Sequence, residues 1–141
     1  MILLDTNFIS ELMRPQPSQV VLDWFSAQSG DDLFLSSVTE AELRLGAFLL
    51  PDGARRDQIV AAIEAMMATE FDGRILAFDS PAAQTYADIV VVRRAAGRPI
   101  SAFDAQIAAI ALANDFSLAT RNTRDFEGSG VTIINPWDLA A

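Results

Sequence analysis

The sequence contains no cysteine, no histidine and no lysine. The lack of cysteine excludes disulfides, a thiol nucleophile and Cys-ligated zinc, and fits a reducing compartment. Without histidine the usual general base and the commonest transition-metal ligand are missing, and so are Ser-His-Asp and Cys-His arrangements. Without lysine there is no Schiff-base chemistry, no Ser-Lys dyad and no P-loop lysine, and the seven glycines form no phosphate-cradling loop. Long apolar runs are absent as well. None approaches the ~18 residues of a membrane span, and the first residues lack the basic, apolar and small-residue blocks of a signal peptide, so the expected location is the cytoplasm, with no membrane partner.

What remains for chemistry is carboxylate, amide, hydroxyl and guanidinium. Oxygen ligands of this kind suit hard cations such as Mg²⁺ or Mn²⁺. All ten basic residues are arginine and nineteen are acidic, for a net charge of −9, the opposite of the usual nucleic-acid-binding signature. Carboxylates gathered around divalent cations would reverse that locally, because the ions then carry the largest charge in the site. Hydrophobic residues make up 51% of the chain, and this surplus is expected to cover a partner surface. At 141 residues, a single domain spanning 1–141 is the natural count.

Short, nearly all-apolar segments at 1–5, 33–36, 75–78, 117–120 and 131–134 read as strands. Between them, helices are expected over 7–13, from Ser18 onward, over 37–50, 54–69, 80–96 and 101–115, with Ser37, Ser80 and Ser101 read as helix starts. Strands alternating with helices argue for a doubly wound α/β domain whose parallel sheet is covered on both faces. In such sheets the site lies beyond the carboxyl ends of the strands, where the winding reverses. Asp5 stands at such an end.

Helical geometry sorts the remaining acids. In SVTEAELRLGAFLL, Glu42 shares a face with Val38, Leu45 and Leu49, taken as the apolar side. Glu40 points nearly opposite, toward Arg44 at i,i+4, and completes a Ser37-x-x-Glu40 capping-box pattern, so it reads as structural. In ISAFDAQIAAIALAND, Asp104 shares its face with Ile107, Ala108 and Ala111. It also fits a capping box with Ser101, just as Asp5 fits an N-cap for the helix after it. Thr120, Asn122 and Asp125 follow another strand end in LATRNTRDFEG, and a plain polar loop would account for them individually. Together with Asp5, Glu42 and Asp104, they are oxygen donors that a doubly wound sheet brings to one edge.

A cluster of carboxylates repels itself until a cation binds. One or two Mg²⁺ or Mn²⁺ ions would engage a phosphodiester oxygen, activate a water and offset charge on the leaving oxygen, without histidine or lysine. Arg93, Arg94 and Arg98 near one helix end, and Arg121 and Arg124 beside the site, are candidates to meet nucleic-acid phosphates; ordinary surface ion pairing is the alternative for each.

DTNFISEL, SSVTEAELRLG, PISAFDAQIAAIA and LATRNTRDFEG, in this order, resemble the PIN-domain ribonucleases, specifically the VapC and FitB-like toxins of bacterial toxin-antitoxin pairs. The resemblance implies a three-layer α/β/α domain with a parallel five-stranded sheet. It further implies an Mg²⁺- or Mn²⁺-dependent endoribonuclease, a homodimer neutralised by a cognate antitoxin lying over the active-site groove. Asp5 and Asp104 correspond to the principal metal ligands and Glu42 to a third acidic residue; Thr6, Asn7 and Thr120 correspond to supporting polar positions. Asn122 departs from the pattern, since many members carry an acid there, with Asp125 a partial replacement. One strong metal position and a weaker second are expected. Two other classes compete: a phosphate-accepting Asp-based domain, which would want the absent lysine, and a non-catalytic PIN-like interaction module.

Overall fold

The computed structural model describes residues 1–138. Its five strands are β1 (Ile2–Leu4), β2 (Leu33–Ser36), β3 (Ile75–Leu76), β4 (Ser117–Ala119) and β5 (Ile133–Ile134). They form one sheet in the order β3-β2-β1-β4-β5, and every neighbouring pair is parallel. The winding proceeds outward from β1 through β2 to β3, then returns to the other side of β1 with β4 and β5. Its reversal therefore falls between β1 and β4, with Leu4 registered against Ala119.

Alternation along β1 divides the core. Leu3 packs on one face with Ile107, Ile110, Leu118 and Phe126, beneath α5 (Ser80–Ala95) and α6 (Ala102–Ala113). Leu4 packs on the other with Phe8, Val21, Leu35, Leu43 and Ile63, beneath α1 (Thr6–Leu12), α2 (Gln19–Ala27), α3 (Ser37–Phe48) and α4 (Ala54–Ala65). This is the expected α/β/α layering, and the strands are apolar throughout because both faces are covered. No helix among the described residues is long and apolar enough to cross a membrane.

The strands are shorter than expected at several ends. β3 stops at Leu76, and Asp79 then caps α5 by accepting the Ala82 N–H at 3.1 Å, so the expected cap Ser80 is already helical. The cap of α3 moves one residue earlier too. Ser36 accepts the Thr39 N–H at 3.0 Å, so the Ser37–Glu40 capping box does not form, although the Glu40–Arg44 ion pair does, at 2.8 Å. The chain continues from α4 into a π turn, Met66–Glu70. The polar segment after β4 is not a plain loop, because Thr123–Phe126 forms a helical turn, α7, anchored by buried Phe126.

One expected face is rotated. The buried line of α3 is Thr39, Leu43 and Ala47 together with Val38, whereas Leu45 and Leu49 are 58% and 75% exposed. Packing on α1 and α4 draws the i,i+4 line inward and leaves the Leu45–Leu49 stripe to solvent. Glu42 sits on the flank of the buried line.

Candidate active site

Asp5 follows β1 and is 4% exposed. Its two carboxylate oxygens have separate donors: Oδ1 accepts the Thr6 N–H at 2.8 Å, capping α1, and Oδ2 accepts the Thr120 hydroxyl at 2.7 Å. Thr120, fully buried just beyond β4, also accepts the Asn122 N–H at 3.1 Å and the Asn7 amide at 3.3 Å. Its single hydroxyl proton is therefore committed to Asp5. Asn7 closes the bridge by accepting the Arg121 N–H at 3.4 Å. The ends of β1 and β4 are thus joined across the winding reversal by side chains.

Thr6 serves a different carboxylate from its neighbour. Its hydroxyl donates to Glu42 Oε1 at 2.8 Å and lies 3.0 Å from the Thr39 hydroxyl. Because the Thr6 proton is spent on Glu42, Thr39 is the donor in the second contact. Asp104 stands in the first turn of α6, whose cap Ser101 accepts its N–H at 3.2 Å.

Burial pushes the Asp5 carboxyl up to about 6, against the Thr120 and Thr6 hydrogen bonds, and the nearby Asp104 and Glu42 add to the rise. Asp104 is also raised, by burial first, then by Asp125, with a Ser101 hydrogen bond and the Arg93 charge opposing. Asp5, Glu42 and Asp104 line one open cleft of about 450 Å³ with Thr6, Asn7, Arg121 and Asn122. Among the described residues, no three acidic side chains are close enough to form a single cage.

Asp125 is placed differently. It opens onto an adjoining cleft of about 630 Å³ with Arg124, which the central cleft meets at Arg121, Asn122 and Trp137. Arg98 is exposed and paired with Glu127 at 2.9 Å, and Arg94 is exposed on the last turn of α5. Arg93 cannot serve as a phosphate contact. It is 5% exposed, and its guanidinium donates to the carbonyls of Arg98, Asp125 and Glu127 at 2.6, 2.8 and 2.8 Å. The apparent basic cluster at the end of α5 thus contains a buried strut joining the α5–α6 turn to α7.

Four cleft residues escaped the sequence reading: Ser10, Glu11, Arg14 and Trp137. Glu11 is 6% exposed. Burial favours its neutral form, yet the Ser18 N–H and Arg14 outweigh this and hold its carboxyl below the usual range. The i,i+3 spacing of Glu11 and Arg14 was available in the sequence as a clue to the pair. Trp137 had none, since it reaches the cleft by packing edge-on against Phe8, with ring centroids 6.1 Å apart.

A five-stranded parallel sheet with acidic side chains gathered beyond its winding reversal defines an α/β domain with a candidate hard-cation site. The PIN domain family model matches residues 2–128, and the chain belongs to that family. Within it, the chain is 48% identical over 138 residues to a plasmid stability protein, StbB, of Pseudomonas syringae pv. tomato, covering 98% of this chain and 99% of the relative. It is 44% identical to a VapC ribonuclease of Sinorhizobium fredii, over 99% of this chain and all of the relative. The crystal structure of FitAcB from Neisseria gonorrhoeae superposes with a TM-score of 0.94 at 43% identity, over 99% of this chain and 100% of that one.

Proposed function

We propose that this protein is a divalent-metal-dependent endoribonuclease, the toxin of a toxin-antitoxin pair, acting in the cytoplasm and neutralised by a cognate antitoxin. The observation that carries the reading is the buried Asp5, lifted to about 6 in a cleft it shares with Glu42 and Asp104. An all-oxygen donor set suits Mg²⁺, with Mn²⁺ as a substitute. The resemblance to a VapC ribonuclease supports the reaction class, and the resemblance to the toxin FitB of Neisseria gonorrhoeae supports the role of toxin.

Asp5 and Asp104 would hold the ion directly, and Glu42 would meet it through one of the ion's own waters, since no three acidic side chains among the described residues come together as a ligand group. When bound, it would supply Lewis acidity toward a phosphodiester oxygen and toward water. The protein's own part is orientation. Thr120 holds its hydroxyl proton on Asp5 Oδ2 while the Thr6 N–H fixes Oδ1, so the carboxylate cannot rotate. Thr6 holds its proton on Glu42 Oε1 and so aims that side chain into the cleft. Asn122, an amide where many family members carry an acid, offers an oxygen but no charge, and Asp125 lies one cleft away. That arrangement supports one strong ion position and a weaker second. The exposed apolar side chains Leu45, Phe48 and Leu49 are the surplus that an antitoxin or a second copy of the chain would cover.

The test is cleavage of a structured RNA with exposed loops by the purified protein, freed of any partner, with and without Mn²⁺. Metal-dependent cleavage that disappears in Asp5→Asn and Asp104→Asn is the expected result. Cleavage persisting in both variants would sink the mechanism, and no cleavage by the wild type in any metal would favour a non-catalytic interaction module.

A further inference from the structure

The ten arginines divide by what holds them. Arg14, Arg44, Arg56 and Arg98 pair with carboxylates. Arg74 and Arg93 are committed to backbone carbonyls. Arg55, Arg94, Arg121 and Arg124 have no acidic partner among the described residues. Three of these four line clefts that run into one another. Arg55 borders a separate cleft of about 280 Å³, walled largely by apolar side chains such as Leu43, Ile59 and Ile63, that shares Thr6, Ser10 and Glu42 with the central cleft. On the opposite side, Arg121, Asn122 and Trp137 are common to the central cleft and the cleft of Arg124. The three clefts adjoin through these shared residues and together outline a trench, with carboxylates at its middle, Arg55 on one side and Arg121 and Arg124 on the other.

We infer that a single RNA strand lies along this trench, its scissile phosphate at the central carboxylates, one flanking phosphate at Arg55 and those on the other side at Arg121 and Arg124. This rests on the ribonuclease reading and adds to it a path and two specific ends. In a chain of net charge −9, general attraction cannot orient a polyanion, so the few unneutralised cations decide where it lies. Arg121 is suited to the task, because its guanidinium lies 5.5 Å over the Trp137 ring. An aromatic partner orients the guanidinium without neutralising it. The Trp137 ring itself forms a wall common to two clefts, a position from which an unpaired base can be met by stacking, as single strands are commonly held. Asp125 and Asp138 also line the Arg124 cleft, so that end discriminates by position more than by net charge.

The experiment measures equilibrium binding of the full chain to a fluorescein-labelled single-stranded RNA of about a dozen nucleotides. Anisotropy is read across a salt series in calcium, with the strand checked for integrity by gel. Arg55→Ala, Arg121→Ala and Arg124→Ala are each expected to weaken binding about threefold to tenfold and to flatten the slope of log K against log salt by about 0.7. Arg55→Lys should recover most of the loss. Arg44→Gln, at a guanidinium held by Glu40 and Glu64 outside these clefts, should match the wild type. Binding by Arg55→Ala equal to that of wild type would overturn the two-ended path and leave that end of the trench to a protein partner. Cleavage in Mn²⁺ is assayed separately. A protein that cleaves normally but whose arginine variants bind as wild type refutes the path alone; one that shows the arginine dependence yet never cleaves keeps the path and refutes the ribonuclease reading.

Discussion

Thr120 donates its only hydroxyl proton to Asp5 across 115 residues of sequence, at 2.7 Å, while accepting the Asn122 N–H and the Asn7 amide. Replacing it with valine removes one donor and one acceptor from a fully buried position. Thr120→Val should lower stability by about 1–3 kcal/mol, read from urea midpoints, and should impair cleavage beyond the loss of fold. Thr120→Ser, which keeps the hydroxyl, should retain both.

The raised carboxyl of Asp5 sets a pH dependence in the metal-free protein. Its folded value of about 6 lies above the ordinary 3.8, so folding favours the protonated form. The stabilising contribution is complete below about pH 3.8 and is lost as pH rises through 6. The full span is about 3 kcal/mol. In EDTA, Asp5→Asn should gain stability relative to wild type by about this amount between pH 4 and pH 8, measured by urea titration. A constant difference across that range would show that Asp5 titrates normally.

Glu40 and Glu42 lie on one helix and should behave oppositely. Glu40 meets Arg44 on a partly exposed surface at 2.8 Å, so Glu40→Gln should cost no more than about 1 kcal/mol and leave cleavage unchanged. Glu42→Gln should reduce cleavage severely with little loss of stability. Equal activity in the two variants would remove Glu42 from the site.

Arg93 is expected to act on the fold and on the placement of α7. Arg93→Met leaves three backbone carbonyls without their donor, and a loss of about 3 kcal/mol is expected. Faster amide hydrogen exchange should concentrate over 122–129 rather than spread over the sheet.

Metal binding carries the last prediction. Isothermal titration with Mn²⁺ should show one tight and one weak site, and Asn122→Asp should tighten the weak one. Two equally tight sites in the wild type would contradict the role given to Asn122.

Much of this was legible in sequence. The positions of the strands could be anticipated from apolar runs because both faces of the sheet are buried, and Asp5 stood out as a charge closing such a run. Glu42 was selected for an imperfect reason. A helical wheel aligned it with Leu45 and Leu49, yet tertiary packing turns that stripe outward; Glu42 reaches the cleft because Thr6 lies opposite its flank. Arg93 was misread because sequence shows charge but not burial, and its partners are carbonyls, which leave no trace in side-chain identity. Trp137 was invisible as a site residue for a related reason, as its position depends on a contact with Phe8 near the other terminus.

The placement of β4 beside the central strand β1 has a consequence for the order in which the protein is made. Until residues 117–120 are in place, β1 has an open edge: the Asp5 N–H lacks the Ala119 carbonyl, and its side chain lacks Thr120. The acidic residues Asp5, Glu42 and Asp104 all emerge before that segment does. A nascent chain carrying every one of them is therefore still without an organised cleft.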